Sequence, residues 1–399
     1  LTLFFAISAT SVPAQKKSRF VTVSGTDFIA PDGSKMMLRG INLGTWLLPE
    51  GYMFEFKKAT SPEKIYLMVN ELLGEAKARA FWKEFRDHYI THEDIKFIKR
   101  AGFNHIRIPF NYRMFVNRDD PSRLEGVGYE LLERLVRWCK QEGLYVLFDM
   151  HGAPGGQTGD NIDDSMGYPH LFENEEDLDL TVRIWAKLAK QYANEPIVIG
   201  YDLLNEPIAH YFDVEALNPK LEPLYKRIVS AMRKYDKNHI MFIGGAQWNQ
   251  NFKMFGPPFE EKLAYTFHRY WMPAEQNAFD EFVALAKKFN RPMYLGETGE
   301  NTDEWIDTFR QLSERNNIGW CFWTYKRLET TRSVVSIPKP KDWDEIVKFA
   351  DSPRGGFEEM RKIKPPKELV ERVLREYLDN IRLAKCRVND NYLKALGLK

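Results

Sequence analysis

Short apolar and β-branched runs recur along the chain at 38–42, 105–109, 144–149, 198–204, 240–243, 263–267, 292–296 and 319–323. Runs that are apolar without alternation are the pattern of strands buried on both faces. Helical spacing fills the intervals. Leu131, Leu132, Leu135, Val136 and Trp138 fall three and four apart across 129–142, and Gly143 supplies a left-handed stop. Thr91 through Asp94 reads as an N-cap with an acid at N3, opening a helix that ends at Gly102. Eight strand-helix units predict an α/β fold whose parallel sheet closes as a (β/α)8 TIM barrel. An open doubly wound sheet is the rival, but no glycine-rich phosphate loop follows the first strands to favour it.

The ends carry extra elements. Segments 20–23 and 28–30 flank a Gly25-Thr26-Asp27 turn and predict a small hairpin on the barrel floor. The tail 353–399 is rich in Lys and Arg and opens with Pro353-Arg354-Gly355-Gly356. Its Leu369, Val370, Val373, Leu374, Tyr377 and Leu378 repeat at helical spacing, which predicts a helix packed on the barrel with solvated charges. Residues 1–15 resemble the apolar core and small-residue region of a secretory signal, so an extracellular or periplasmic protein is expected, with 16–399 as one catalytic domain. That run is too short to span a bilayer, and no membrane insertion is expected.

With 399 residues, 44% of them hydrophobic, the chain can bury a large core, and its net charge of +1 provides no long-range pull toward nucleic acid or anionic membrane. A neutral partner fits better. Ten Trp and eighteen Tyr supply flat faces suited to the C–H face of a sugar, so an oligo- or polysaccharide is the expected partner of a monomer. Cys139, Cys321 and Cys386 are odd in number and widely spaced, which predicts buried free thiols. No metal or cofactor is expected, because no His/Asp/Glu cluster has H-x-H or H-E-x-x-H spacing.

Chemistry gathers where the strands end. Arg107 ends the second, His151 follows the third, Asn205-Glu206 end the fourth, His268 and Tyr270 the sixth, Glu297 the seventh and Trp323 the eighth. Any one of these has a structural explanation; together they mark the rim on which barrel enzymes assemble their sites. Two carboxyls on that rim suggest glycoside cleavage, in which one group protonates the departing oxygen while the other attacks from the opposite face.

Five ordered segments carry a closer likeness: Arg39-Gly40-Ile41-Asn42-Leu43-Gly44-Thr45-Trp46, His105-Ile106-Arg107-Ile108-Pro109, Asp149-Met150-His151-Gly152, Leu204-Asn205-Glu206-Pro207 and Gly296-Glu297. In these the chain resembles glycoside hydrolase family 5 over roughly 38–325. The resemblance implies Glu206 as acid/base, Glu297 as nucleophile, retention of configuration, and Arg107, His151, Asn205, His268, Tyr270 and Trp323 as further site residues. Segment 151–165 and Glu50 resemble the exo-acting β-1,3-glucanase branch, which implies that Glu50 and Asp163, or its neighbour Asp164, grip the non-reducing-end sugar. Thr45 and Ile162 depart from that branch's usual Gly and aromatic residue. Rim aromatics Tyr112, Tyr168, Trp248, Trp271 and Tyr325 are expected stacking platforms. An endo-acting β-1,4-glucanase or mannanase, or a glycolipid hydrolase, is the alternative on the same residues. A non-catalytic carbohydrate-binding barrel is a third, against which the presence of both glutamates argues.

Overall fold

A computed structural model of the chain describes residues 18–353 and 355–399. A hairpin, β1 (Thr22–Ser24) and β2 (Asp27–Ile29), precedes eight strands: β3 (Arg39–Asn42), β4 (His105–Asn111), β5 (Tyr145–Gly152), β6 (Val198–Asp202), β7 (Ile240–Gly244), β8 (Leu263–His268), β9 (Met293–Gly299) and β10 (Gly319–Trp323). These eight are parallel and close into a barrel through β10, which pairs with both β9 and β3. Each coincides with a predicted apolar run. The 198–204 run differs, because the strand stops at Asp202 and the chain turns out to the rim, with Glu206 and Ile208 at positive φ. Leu203 and Leu204 kept the run apolar because both are fully buried beneath that turn.

Helices α1 (Pro62–Leu73), α2 (Glu75–Tyr89), α3 (His92–Ala101), α4 (Gly128–Glu142), α5 (Glu175–Tyr192), α6 (Val214–Met232), the four-residue α7 (Ala246–Asn249), α8 (Asn277–Phe289) and α9 (Asp303–Arg315) connect the strands. The predicted capping box is present: Thr91 N donates to Asp94 Oδ2 at 2.8 Å, and Gly102 closes α3 in the left-handed region at φ 106°. Trp185, Ile184 and Leu188 on α5 show how each helix meets the sheet, with the apolar stripe fully buried and the charged face outward.

The hairpin plugs the barrel floor as predicted. Phe28 stacks on Phe242 with ring centroids 5.8 Å apart, within a cluster that includes Leu38, Leu147, Ile199 and Tyr294 from the strand starts. Burying a ring of this kind contributes about 1.5–3 kcal/mol and closes the barrel to water from below. The tail adds a small sheet of β11 (Lys326–Leu328), β12 (Val335–Ile337) and β13 (Arg387–Val388), with helices α10 (Trp343–Asp351), α11 (Phe357–Ile363), α12 (Lys367–Asn380) and α13 (Asp390–Ala395). Helix α12 buries the predicted face through Val370, Val373, Leu374, Tyr377 and Leu378. Lys326 is fully buried and donates to Tyr89 O, Asp94 Oδ1 and Ile381 O at 2.7, 2.7 and 2.9 Å, so one ammonium ties α2, α3 and the end of α12 to the barrel. Cys139 and Cys321 are buried free thiols, and Cys386 is half-buried and free. Residues 1–15 lie outside the described residues. Among those described, no helix is long and apolar enough to cross a membrane.

Candidate active site

The site is built on a buried guanidinium. Asp149 on β5 and Asp202 on β6 lie side by side in register, and Arg107 on β4 reaches both, at 3.1 and 2.8 Å. Its remaining N–H groups donate to Glu297 Oε1 at 2.6 Å, Asn42 Oδ1 at 3.0 Å and Asn205 Oδ1 at 2.8 Å. Only the planar arginine fork serves so many acceptors at once. Burial pushes Asp149 and Asp202 up to about 7 against the opposing pull of Arg107.

Two histidines are locked as neutral rings. Asn205 Nδ2 donates to His151 Nε2 at 3.2 Å and Asn249 Nδ2 donates to His268 Nε2 at 3.2 Å, so in each ring Nδ1 carries the proton. His151 Nδ1 donates to Asp149 at 2.8 Å, and His268 Nδ1 to Glu206 Oε1 at 2.8 Å. Burial holds these histidines low, at about 4 for His151 and about 3 for His268.

The catalytic candidates thereby acquire different surroundings. Glu297 accepts from Arg107 and, through Oε2, from the Tyr270 hydroxyl at 3.0 Å. Glu206 stands past the end of β6 at φ 44° with the neutral His268 as its donor, and burial pushes it up to about 7 despite His151 and Arg107. An oxygen of Glu206, an oxygen of Glu297 and a His268 nitrogen all lie within 4.8 Å of one another. Glu206 keeps a proton to give, and Glu297 faces it with an attacking oxygen. The same compactness makes Glu206-His268-Glu297 and Asp149-His151-Glu297 geometrically capable of metal ligation. Their chemistry disfavours it: the Nε2 lone pair of each ring accepts from an asparagine amide, and Arg107 already pairs with Asp149 and Glu297.

The glutamates open into a cavity of about 500 Å³ with two unlike sides. Trp248, Gln250 and Trp271, from the loops after β7 and β8, form one; Trp271 is 70% exposed. Glu50, Tyr52, Glu300 and Trp323, from the ends of β3, β9 and β10, form the other. Trp323 lies nearly parallel to the His151 ring, 5.6 Å away, and its Nε1 donates to the Tyr52 hydroxyl at 2.6 Å. Glu50 is buried, and among the described residues its Oε1 has no hydrogen-bond partner. Burial, reinforced by the charges of Glu297, Glu300 and Glu206, pushes Glu50 well above the usual carboxylate range. Glu300, absent from the residues expected from sequence, accepts from Arg327 Nη1 at 2.6 Å, and the guanidinium of Arg327 lies 4.7 Å over the Tyr52 ring.

The structure brings Arg107, His151, Asn205, Glu206, His268, Tyr270, Glu297, Trp323 and Glu50 together, but it leaves Asp163 out. The Asp163 carboxylate turns inward to accept from the backbone N–H groups of Thr158, Gly159 and Ser165 at 2.6, 2.8 and 2.9 Å. It staples its own loop, and Asn161 and Ile162 face the cavity instead. Asp164 is likewise occupied, accepting from Glu63 N at 2.8 Å and Arg113 Nε at 3.1 Å. Of the expected platforms, Trp248 and Trp271 line the cavity. Tyr325 is fully buried and donates to Asp94 at 2.9 Å, Tyr112 lines a separate cleft beyond the 153–166 loop, and Tyr168 packs against Phe212.

The fold and site together are a parallel barrel carrying two facing glutamates beside a polar, aromatic-walled cavity. The chain belongs to the cellulase family, glycosyl hydrolase family 5, whose model matches residues 71–328. It is 30% identical over 291 residues to a β-xylosidase of Phanerodontia chrysosporium, covering 72% of this chain and 59% of that one. A glucan 1,3-β-glucosidase of Lachancea kluyveri is 33% identical over 203 residues, 47% of this chain and 45% of the relative, so the chain spans just over half of the first relative and under half of this one. Endoglucanase C of Acetivibrio thermocellus is 27% identical over 63% of this chain and 88% of its own length. Among solved structures, an endogalactoceramidase aligns with TM-score 0.62 at 17% identity, over 94% of this chain and 84% of that one, a likeness of fold.

Proposed function

We propose that this chain is a retaining β-glycosidase that removes single sugars from β-glucans, an exo-β-glucanase or β-glucosidase. The observation that carries the reading is the approach of Glu206 and Glu297 to within 4.8 Å. Retaining pairs stand about 5–5.5 Å apart, whereas inverting pairs stand about 6.5–9.5 Å apart to admit a water. In the first step Glu206 protonates the glycosidic oxygen as a Glu297 oxygen attacks the anomeric carbon, so the C–O bond breaks, the aglycone leaves as an alcohol and a glycosyl ester forms on Glu297. In the second, Glu206 as carboxylate takes a proton from water, whose oxygen attacks the same carbon and releases Glu297. The second N–H of the Asn205 amide is free to donate to the sugar 2-OH, where the bond strengthens as positive charge develops.

Exo action is supported by the unlike sides of the cavity. Buried Glu50 on one side and the 70% exposed Trp271 on the other favour a sugar held at the Glu50 side with the remainder of the chain leaving over Trp271. Export from the cell is supported by the signal-like segment 1–15. The test is product analysis on β-1,3-, β-1,4- and β-1,6-linked glucans, with proton NMR of the first-formed anomer. Steady release of monosaccharide as the β-anomer is expected. Early mixed oligosaccharides with a sharp drop in viscosity would establish endo action, and an initial α-anomer would establish inversion.

A further inference from the structure

We propose that Glu300 binds the hydroxymethyl group of a hexose and so sets this site's preference for a β-glucoside over a β-xyloside. The inference rests on the glycosidase reading above and adds to it the residue that tells a hexose from a pentose. A pyranose with its anomeric carbon between Glu206 and Glu297 presents its C2 edge to Asn205 and His151, the pair linked through the Asn205 amide. The ring then fixes the rest, because C5 lies across the C1–C4 axis from C2. Its substituent faces the opposite rim, at the ends of β9 and β10, where Glu300 follows Glu297 by three residues. Glucosides and xylosides differ at that carbon alone, by a CH2OH group.

Glu300 is held for such a task. Its backbone adopts φ 52°, a left-handed conformation costly for a non-glycine residue, and its side chain is 14% exposed. Arg327 holds Oε1, and Arg332 Nη1 donates to the Glu300 carbonyl oxygen at 3.3 Å. The Tyr52 hydroxyl also hydrogen-bonds the Glu300 carboxyl, which burial raises above its ordinary value. A carboxyl group has about four acceptor sites when ionised and about three plus a donor when protonated, so in either state capacity remains for a sugar hydroxyl. Glu50 supplies an independent sign that this end of the cavity is built for a polar ligand. Among the described residues its buried Oε1 has no hydrogen-bond partner, and an unpaired buried carboxyl oxygen is destabilising. With Glu50 at the C4 end and Glu300 at the C5 edge, the two carboxyls divide the hydroxyls that a glucosyl unit shows there.

The test uses 4-nitrophenyl β-D-glucopyranoside and β-D-xylopyranoside with the full chain and its Glu300→Gln and Glu300→Ala variants. The expected result is a glucoside-to-xyloside ratio of kcat/KM that falls about tenfold or more in both variants, the loss of one hydrogen bond to a charged group. Should Glu300→Ala fail to fold, the isosteric Glu300→Gln keeps a bond to Arg327 and reports the same ratio. Equal losses on both substrates would mean that Glu300 only props Arg327 and would overturn the proposal, as would an unchanged ratio. A wild-type chain that hydrolyses neither glycoside defeats the underlying glycosidase reading instead, and this proposal with it.

Discussion

Replacing Arg107 by Met preserves length and apolar bulk but removes the cation shared by Asp149, Asp202 and Glu297. Breaking a buried ion pair by deleting one partner costs about 3–5 kcal/mol, a large part of the roughly 5–15 kcal/mol that holds a folded domain together. The loss has a pH signature. Asp149 and Asp202 stand at about 7 in the folded chain against an ordinary 3.8, so across that window the folded state holds protons that the unfolded state has released. Stability therefore falls as pH rises between those values. Without the guanidinium's opposing pull, both groups move higher still, and the variant's deficit relative to wild type grows with pH. Urea unfolding followed by tryptophan fluorescence at pH 5, 6.5 and 8 measures it, with a deficit near 3–5 kcal/mol expected at pH 8 and a smaller one at pH 5. A variant that unfolds at pH 8 without urea yet folds at pH 5 is the extreme of the same outcome. Wild-type stability at pH 8, or a deficit that shrinks as pH rises, would refute the reasoning.

Glu206→Gln should lower kcat/KM on natural glucans by about 10²- to 10⁴-fold while sparing 2,4-dinitrophenyl glycosides far more, because that leaving group needs no proton. Glu297→Gln should abolish turnover of both substrate types with the fold intact by circular dichroism, and near-normal activity on natural glucans in either folded variant would remove the assignment. The alkaline limb of kcat/KM should fall near pH 7, since Glu206 at about 7 must be protonated for the first step and loses its proton above that value. That limb reports the coupled pair, and activity flat to about pH 9 would contradict it.

The barrel was legible because parallel strands buried on both faces write themselves as apolar runs, and polar residues at the ends of those runs stood out: Arg107, Glu206, His268 and Glu297 all point into the site. Buried Asp149 and Asp202 also leave a signal in the sequence, since acids inside apolar strands beside a strand arginine require one another. Asp163 failed for a different reason. Residue type marks an acidic loop, but whether a carboxylate points out to a ligand or in to its own backbone depends on the turn, and here Gly155, Gly156 and Gly159 at positive φ wrap the loop around it. Tyr325 was misplaced because one position along the chain after Trp323-Thr324 decides between the cavity and the packed layer behind it. Glu300 was invisible because it lies beyond its strand in a polar loop, and only the fold reveals that Arg327, from the short sheet of the tail, meets it.

Lys326 and Arg327 are neighbours on β11, and they face different regions: the first is anchored to the end of α12, the second to Glu300 on the cavity wall. If a sugar that orders Arg327 also steadies its neighbour Lys326 through so short a lever, the coupling is reciprocal and α12 gains order in the same event. Saturating the cavity with a sugar ligand should then slow amide hydrogen exchange in 367–380, well away from any contact with the sugar. Exchange there that ignores the ligand would show the lever to be slack.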